Sequence, residues 1–455
     1  MSQLWRKSDK DQVDRDWFFE FTASEDRACD EHLIPYDIKC NIAQTDMLEK
    51  IGILSPQEAG NLRSALKHYY HQWKHNEFHL TADDEDVHSA IENRLTADCG
   101  EAGKKIHTGR SRNDQVQTDI RLYVRDRLLR VASDWMVITH QLIELAKKYR
   151  GVFFAGHTHT QPAMPTSVDA WAYGYIDLLL SDLQSLRHIY EKSDVNPLGS
   201  AAGFGVPFLE IDRELTRERL GFSQTQHAVT SVQLSRGKLE SGILHMLMSG
   251  ALTFNRMGAD IIFFAQPTAG FVHLSEDQTS GSSIMPQKRN PDAWELIRAG
   301  YAQLSGIHAQ LSMAGLNLIG GYHRDLQTVK QSLIEGFERI DRLNRAVSMC
   351  LKGLQFDTEA CKKSLTPELF ATHKALAAVI GGGNFRDAYR QAGQVGPAEA
   401  SDFENQLSTS YSVAGYPGVP ATGEYQAILD DLEHWVKNRI AHHQQVDERL
   451  LNEPK

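Results

Sequence analysis

The chain has 455 residues, 41% of them hydrophobic and 24% charged, and a formal net charge of −11. That composition excludes wholesale disorder, and the length leaves room for about two to four ordinary domains, or for one extended helical unit with smaller ends. The acidic balance argues against a general nucleic-acid binder, so an anionic substrate has to be met by cations gathered locally.

Five cysteines, Cys29, Cys40, Cys99, Cys350 and Cys361, are scattered and include no C-x-x-C pair. This usage predicts a reduced, cytoplasmic protein without a structural zinc site. Residues 1–17 lack the apolar core of a signal peptide. No run of about 18 apolar residues occurs, so no membrane span is expected.

Residues 1–109 read as a first, mostly helical domain. Ser55, Pro56 and Glu58 spell a helix start, with Ser55 as N-cap and Glu58 closing a capping box. His68, His71, His75 and His79 follow at spacings that could share one helix face. A solvated face accounts for them better than a metal site, because carboxylate partners are few there. Asp83–Asp86 reads as a short acidic surface run leading into a helix with Ile91 and Leu95. Residues 104–115 then carry four cations (Lys104, Lys105, Arg110 and Arg112) and Asn113. The pattern fits a solvated loop with a helix cap at Asn113 or Asp114, or a carboxylate-binding loop just ahead of a long helix, the reading that the resemblance below favours.

Residues 110–358 read as a central bundle. From 115 to 150 no Gly or Pro interrupts, and Ile120, Val124, Leu128, Val131, Trp135, Ile138, Leu142 and Leu145 recur at helical steps. Further long helices are expected at about 166–193, 232–265, 292–319 and 325–354, far above the usual mean of about 11–12 residues. Helices apolar on more than one face predict packing against copies of the same chain. Two loops interrupt the run, one at 156–162 (GHTHTQP) and a Gly-rich one at 196–205. The latter is not G-x-G-x-x-G after a strand, so no dinucleotide site is expected. Residues 359–455 read as a small C-terminal helical domain, with an irregular excursion over 396–423 and a last helix at about 424–443.

The densest chemistry lies at 281–295, GSSIMPQKRNPDAWE. Ser282 and Ser283 bring hydroxyls, and Lys288 and Arg289 bring cations. Asn290, Pro291 and Asp292 read as N-cap, first helical position and first-turn acid. A loop of hydroxyls and cations ahead of a helix N-terminus suits a carboxylate and can lower the pKa of a serine.

This string resembles the signature loop of the fumarase/aspartase superfamily. Asp86-Val-His88, Gly109–Gln115, Thr158-His159 with Gln161, Asn196–Ser200, Tyr322–Gln327 with Lys330, and Phe385–Tyr389 resemble the argininosuccinate lyase family within it. The resemblance implies an all-α, fumarase/aspartase-like fold, with a long central helix bundle flanked by two smaller mostly helical domains. It implies a homotetramer with active sites built from loops of three subunits. The implied reaction is β-elimination of argininosuccinate to arginine and fumarate, a step of arginine biosynthesis. By carry-over Ser282 is the base, held as alkoxide by Lys288 and backbone N–H groups. His159, oriented by Glu295, protonates the leaving nitrogen, although base and acid could be exchanged between Ser282 and His159. Arg112, Asn113, Thr158 and Asn290 bind the succinyl part, and Tyr322, Gln327 and Lys330 the arginine end. Neither metal nor cofactor is expected, and the partners are the small-molecule substrate and further copies of the chain.

The chain departs from the family pattern in places. Leu4-Trp5-Arg6-Lys7 stands for Leu-Trp-Gly-Gly-Arg-Phe, and Arg324 stands where a lysine is common. Asp37-Ile-Lys-Cys40-Asn41-Ile-Ala43-Gln44 places Asn41 where a substrate-contacting serine is usual. These changes touch the amine partner rather than the elimination. They leave a sister carbon–nitrogen lyase acting on another N-substituted aspartate as the alternative. A structural tetramer without turnover is disfavoured by the joint presence of Ser282, His159, Lys288 and Glu295.

Overall fold

The computed structural model describes residues 12–393 and 403–452. Leu4 to Lys7, and residues 396–402 of the expected excursion, lie outside these. The N-terminal part holds α1 (Gln12–Asp30), α2 (Ile34–Lys50), α3 (Pro56–Lys74), α4 (Val87–Cys99) and the short α5 (Glu101–Lys105). The capping box of α3 is present: Ser55 Oγ accepts from Glu58 N–H, and Glu58 Oε2 accepts from Ser55 N–H at 2.8 Å. α3 stops at Lys74 with His75 as C-cap, so His79 leaves the helix and the four imidazoles share no continuous face. The acidic run is not all surface either. Asp86 is buried and caps α4, accepting from Ser89 N–H at 2.7 Å. Ile38, Leu48, Leu62, Leu66, Ile91 and Leu95 form the core of this layer, joined by Leu122 from the bundle.

The bundle consists of α6 (Arg112–Lys148), α7 (Val168–Ser193), α10 (Lys238–Phe264), α11 (Asp292–Ala314) and α12 (Thr328–Lys352), with short α8 (Arg213–Leu220) and α9 (Val229–Leu234) between the second and third. α6 packs on α7 and α12, and α10 packs on α7, α11 and α12. Trp135, Phe254, Trp294 and Phe337 are fully buried in the shared core. Gly250 makes the α6–α10 approach possible: a Cβ there would lie 2.2 Å from the Trp135 ring. Several boundaries move from expectation. α6 is capped by Ser111, not by Asn113 or Asp114, because Asp114 takes the reciprocal place in the capping box. α11 begins at Asp292 after Pro291 without a side-chain cap, and ends at Ala314. α12 begins only at Thr328, after a 3-10 turn at Arg324–Gln327. On the outer face Leu178, Leu296, Met313 and Met349 remain exposed.

Beyond the bundle come α13 (Thr358–Lys363), α14 (Ala371–Ile380), α15 (Phe385–Ala392) and α16 (Phe403–Ser410). Leu365, Leu369, Phe370 and Leu407 pack there on Phe153 in a small separate core. The final helix, α17 (Thr422–Leu451), leaves this unit and lies along α6 and α7, burying Leu429, Leu432, Trp435 and Val436 in the bundle core. It runs eight residues past the expected end. The strands are few: β1 (Phe153–Thr158) with β2 (Gln161–Ser167) antiparallel, β3 (Val195–Asn196) with β4 (Gln224–Thr225) parallel, and β5 (Val272–His273) with β6 (Gln355–Phe356) antiparallel. Among the described residues no helix is long and apolar enough to cross a membrane.

Candidate active site

The N-terminus of α6 opens onto a cavity of about 440 Å³. Ser111, Arg112 and Asn113 form one wall, so the cavity meets the positive end of a 37-residue helix dipole. Arg112 is steered by Glu85 and Asp86, each 3.0 Å away. Asp114, one turn in, accepts from the backbone N–H groups of Gly199 (2.9 Å) and Ala201 (2.8 Å), which ties the Gly-rich loop to the helix start. Burial pushes the Asp114 carboxyl up to about 6, against the lowering effect of these N–H donors.

The opposite wall is made by Tyr322, Arg324, Gln327 and Lys330, with Asp26 and Arg236 beside them. Gln327 and Arg324 both donate to the Thr22 carbonyl, at 3.1 and 2.8 Å, which docks α1 against this wall. The Lys330 ammonium is buried between Asp26 and Asp30. Burial opposes its charge, but the two carboxylates override it and raise its pKa.

His88 closes the floor. Its Nδ1 lies 2.8 Å from Asp37 Oδ1 and 3.7 Å from Asp119 Oδ2, with all three side chains buried. Burial works against imidazolium, and Asp37 outweighs it, so the His88 pKa is raised. Burial, then the adjacent Asp37 charge, drives the Asp119 carboxyl well above the usual range. The three ligand atoms lie within 4.8 Å of one another, close enough for a small cation. With Nδ1 engaged by the Asp37 carboxylate, that ring nitrogen offers such a cation no lone pair.

Asn41 does not reach the cavity. It is 1% exposed, its Nδ2 donates to Asp37 O (2.8 Å) and Oδ2 (2.9 Å), and its Oδ1 accepts from Arg110 Nη2 (2.8 Å). With its hydrogen bonds turned inward, it braces the floor rather than offering the substrate contact expected of it.

Thr158 and His159 sit elsewhere, on a β-hairpin where a loop was expected. Thr158 pairs with Gln161, and the two residues between, His159 and Thr160, both take positive φ (54° and 60°). Two consecutive left-handed residues make the two-residue turn that matches strand twist. They carry the imidazole to an exposed tip.

The signature loop forms a third group. Ser280 and Asn290 exchange both backbone hydrogen bonds (3.1 and 2.8 Å), and Asn290 Nδ2 donates to Ser280 Oγ at 3.3 Å. Asn290 therefore clamps the loop base instead of capping α11. Ser282 Oγ accepts from Met285 N–H (3.2 Å) and Ile284 N–H (3.4 Å), the donors an alkoxide requires. Lys288 is exposed and makes no ion pair among the described residues. Glu295, on the first turn of α11, lines a different cavity with Arg289 and His273, and no hydrogen bond joins it to His159 within the chain.

Five expected site residues, Arg112, Asn113, Tyr322, Gln327 and Lys330, thus share one cavity. Thr158 with His159, Ser282 with Lys288 and Asn290, and Glu295 lie on other elements. Sequence reading missed Asp26, Asp30 and Arg236. The acids at i and i+4 on α1 were a legible pair, whereas Arg236 carried no local signal. His88 was noticed only as part of a matching string.

The family described as Lyase matches residues 13–306. The argininosuccinate lyase of Thermotoga neapolitana is 39% identical over 375 residues, 82% of this chain and 94% of the relative. That of Bacteroides thetaiotaomicron is 34% identical over 94% of this chain and 95% of its own length. Among solved structures, an EDDS lyase in complex with formate superposes with a TM-score of 0.78 at 19% identity, covering 98% of this chain and 95% of that one. A class II fumarase from Schistosoma mansoni gives 0.72 at 17%, covering 90% and 97%. At such identities the structural likeness concerns the fold alone. Fold and family match place the chain among the lyases built on the fumarase scaffold. Its relatives narrow this further: the chain belongs to the argininosuccinate lyase family.

Proposed function

We propose that this chain cleaves argininosuccinate to arginine and fumarate, a step of arginine biosynthesis, as a cytoplasmic homotetramer. The observation that carries the reading is the cavity at the start of α6. One wall presents a helix N-terminus with Arg112 and Asn113, suited to the succinyl carboxylates. The other presents Tyr322, Gln327 and Lys330, suited to a polar amino-acid tail.

Ser282, as alkoxide, takes the proton from the carbon next to a succinyl carboxylate, and the Met285 and Ile284 N–H groups with Lys288 offset its charge. The carboxylate takes up the developing negative charge against Arg112, Asn113, Thr158 and Asn290. The C–N electron pair then leaves with the guanidino nitrogen, which receives a proton from His159, oriented by Glu295. Asn41 acts from the second layer by holding Asp37 and Arg110. The elements bearing Ser282, His159 and Arg112 are brought together by neighbouring copies of the chain, packed through the exposed apolar face of the bundle.

The test is absorbance at 240 nm, where fumarate absorbs, with purified protein and argininosuccinate beside Ser282→Ala. Fumarate release by the parent and a loss of about 10²–10⁴-fold in the variant are expected. A folded tetramer that releases none would remove the argininosuccinate reading.

A further inference from the structure

The cavity that holds Glu295 also holds an imidazole. It has a volume of about 440 Å³ and lies between the end of α10, β5 and the start of α11. Its titratable lining groups are His273, Glu276, Arg289 and Glu295. Arg289 faces Glu276 at 3.8 Å. Thr279 and Pro291 line the same cavity, so it abuts the base of the Ser282 loop.

His273 sits on β5, opposite Gln355 of β6. Asp357, just past β6, reaches back to it. Its Oδ2 accepts from His273 Nε2 at 2.9 Å, and its Oδ1 accepts from Ala360 N–H at 2.9 Å, at the start of α13. The Ala360 N–H and then His273 hold the Asp357 carboxyl below its usual range, so it stays an acceptor. With Nε2–H given to Asp357, Nδ1 keeps its lone pair in the neutral ring, and it has no hydrogen-bond partner among the described residues. The ring is thus fixed through one nitrogen and open at the other. An exposed ion pair adds little to stability, and the His273 side chain is 67% exposed.

Elimination leaves two protons out of place. Ser282 Oγ has gained the proton of the carbon, and His159 has lost one to the leaving nitrogen. Before the next turnover Ser282 must give a proton up and His159 must take one up. The Ser282 loop is open to water. The His159 tip is exposed in the single chain, and seating it against Glu295 of a neighbouring copy covers it. An imidazole is the side chain that both takes and gives a proton near neutral pH.

We infer that His273, oriented by Asp357, relays protons from solvent to His159 of a neighbouring copy seated in this cavity. The inference rests on the reading of His159 and Glu295 as a pair formed between copies. Nδ1 of His273 takes a proton from a solvent acid and passes it to the neutral His159 ring, and His273 ends the cycle as it began. It acts through His159 and touches no substrate.

The test is steady-state fumarate release by the full-length parent, His273→Gln and Asp357→Asn over a series of imidazole concentrations, each protein checked by thermal melt. His273→Gln should lower kcat by about 10-fold or more at unchanged KM, less than the roughly 10²–10⁴-fold of a group that acts on the substrate itself. Added imidazole should restore the rate of the variant and leave the parent unchanged. Asp357→Asn keeps a good helix cap and should show a smaller loss that imidazole also repairs. A kcat equal to that of the parent, or a loss that imidazole does not repair, would overturn the proposal. A second measurement needs no turnover. The double variant Thr160→Cys with His273→Cys should form disulfide-linked copies under mild oxidation, beyond either single variant, on a non-reducing gel. Cross-linking without turnover in the parent would fail the argininosuccinate reading alone. Turnover without cross-linking would fail this proposal alone.

Discussion

The hydroxyl oxygen of Ser282 accepts the backbone N–H of Met285 at 3.2 Å, three residues on in the same loop. The bond fixes where the oxygen points before any substrate arrives and keeps a donor on it when it is charged. The loop that carries it is pinned at its base by the Ser280–Asn290 pair and is otherwise exposed. The proposed base is thus held by backbone groups, and any charge on it is left to one side chain.

That side chain is Lys288. Lys288→Gln should lower kcat by about 10²–10³-fold, the usual cost of removing one donor from a developing anion. Its melting temperature should match the parent, since Lys288 is exposed and unpaired among the described residues. Steady-state kinetics beside a thermal melt decide this. A drop in the melt equal to the drop in rate would mean the lysine serves the fold.

His159 occupies a left-handed turn position at φ 54°. Asn tolerates that region better than most residues, so His159→Asn should keep the hairpin and lose about 10²–10⁴-fold in kcat. His159→Val should lose the same rate and also some stability, because a β-branched residue is strained there. Identical melts for the two variants would show that the turn is not under strain.

The distribution of site residues over three elements predicts complementation. Ser282→Ala and His159→Asn should each be nearly inactive as pure proteins. When they are mixed, dissociated and reassembled, activity should return at up to roughly one site in four, the share expected when two contributing subunits are drawn independently. Persistent inactivity of the reassembled tetramers would place both residues of a site on the same chain.

Asp114 gives a pH dependence with a definite sign. Its pKa in the folded chain, raised to about 6, exceeds the unfolded value of about 3.9, so the folded state holds the proton more tightly. Stability from this group is therefore present at low pH and is lost as pH rises through the window from about 4 to 6, by up to about 3 kcal/mol. Asp114→Asn cannot titrate and gives up an acceptor at the helix start, so it should be less stable than the parent. Its deficit should shrink as pH rises across that window. Melts at intervals between pH 4 and 7 would show a constant deficit if burial does not penalise the Asp114 charge.

Gly250→Ala tests the α6–α10 contact. Helix propensity favours alanine by about 1 kcal/mol, yet the new Cβ would meet Trp135, whose Nε1 is held by Asn344 at 2.9 Å. Overpacking of this kind costs about 1–3 kcal/mol, so a net loss is expected. Gly60→Ala in α3, where no heavy atom lies within 4 Å of the added carbon, should instead stabilise by about 0.5–1 kcal/mol. Denaturant melts of the pair separate packing from propensity.

The long helices were legible because their cause is local. An uninterrupted run without Gly or Pro, apolar at three- and four-residue steps, defines α6 whatever surrounds it. The Ser55 capping box was legible for the same reason: its donors and acceptors lie three residues apart. Helix starts that compete for a cap were not. Ser111, Asn113 and Asp114 are all good caps, and the choice of Ser111 goes with Asp114 being drawn to the Gly199 and Ala201 N–H groups far along the chain. Asn290 looked like a cap and serves as a loop clamp, because Ser280 is its partner across the loop. The turn His159-Thr160 itself carries no Gly or Asn-Gly signal, and the left-handed pair is held there by the strands that flank it.

From the sequence alone came the long helices, read from their uninterrupted apolar runs, and, through the resemblance carried by short strings such as GSSIMPQKRNPDAWE, the family and the proposed site residues. Only the tertiary structure decided which of them meet. It gathered Arg112 and Lys330 into one cavity, turned Asn41 away into the floor, and left His159 and Ser282 on separate elements. It also buried the Lys330 ammonium between Asp26 and Asp30. Charge balance in a buried site is a property of side chains brought together from distant helices, and no local pattern along the chain records it.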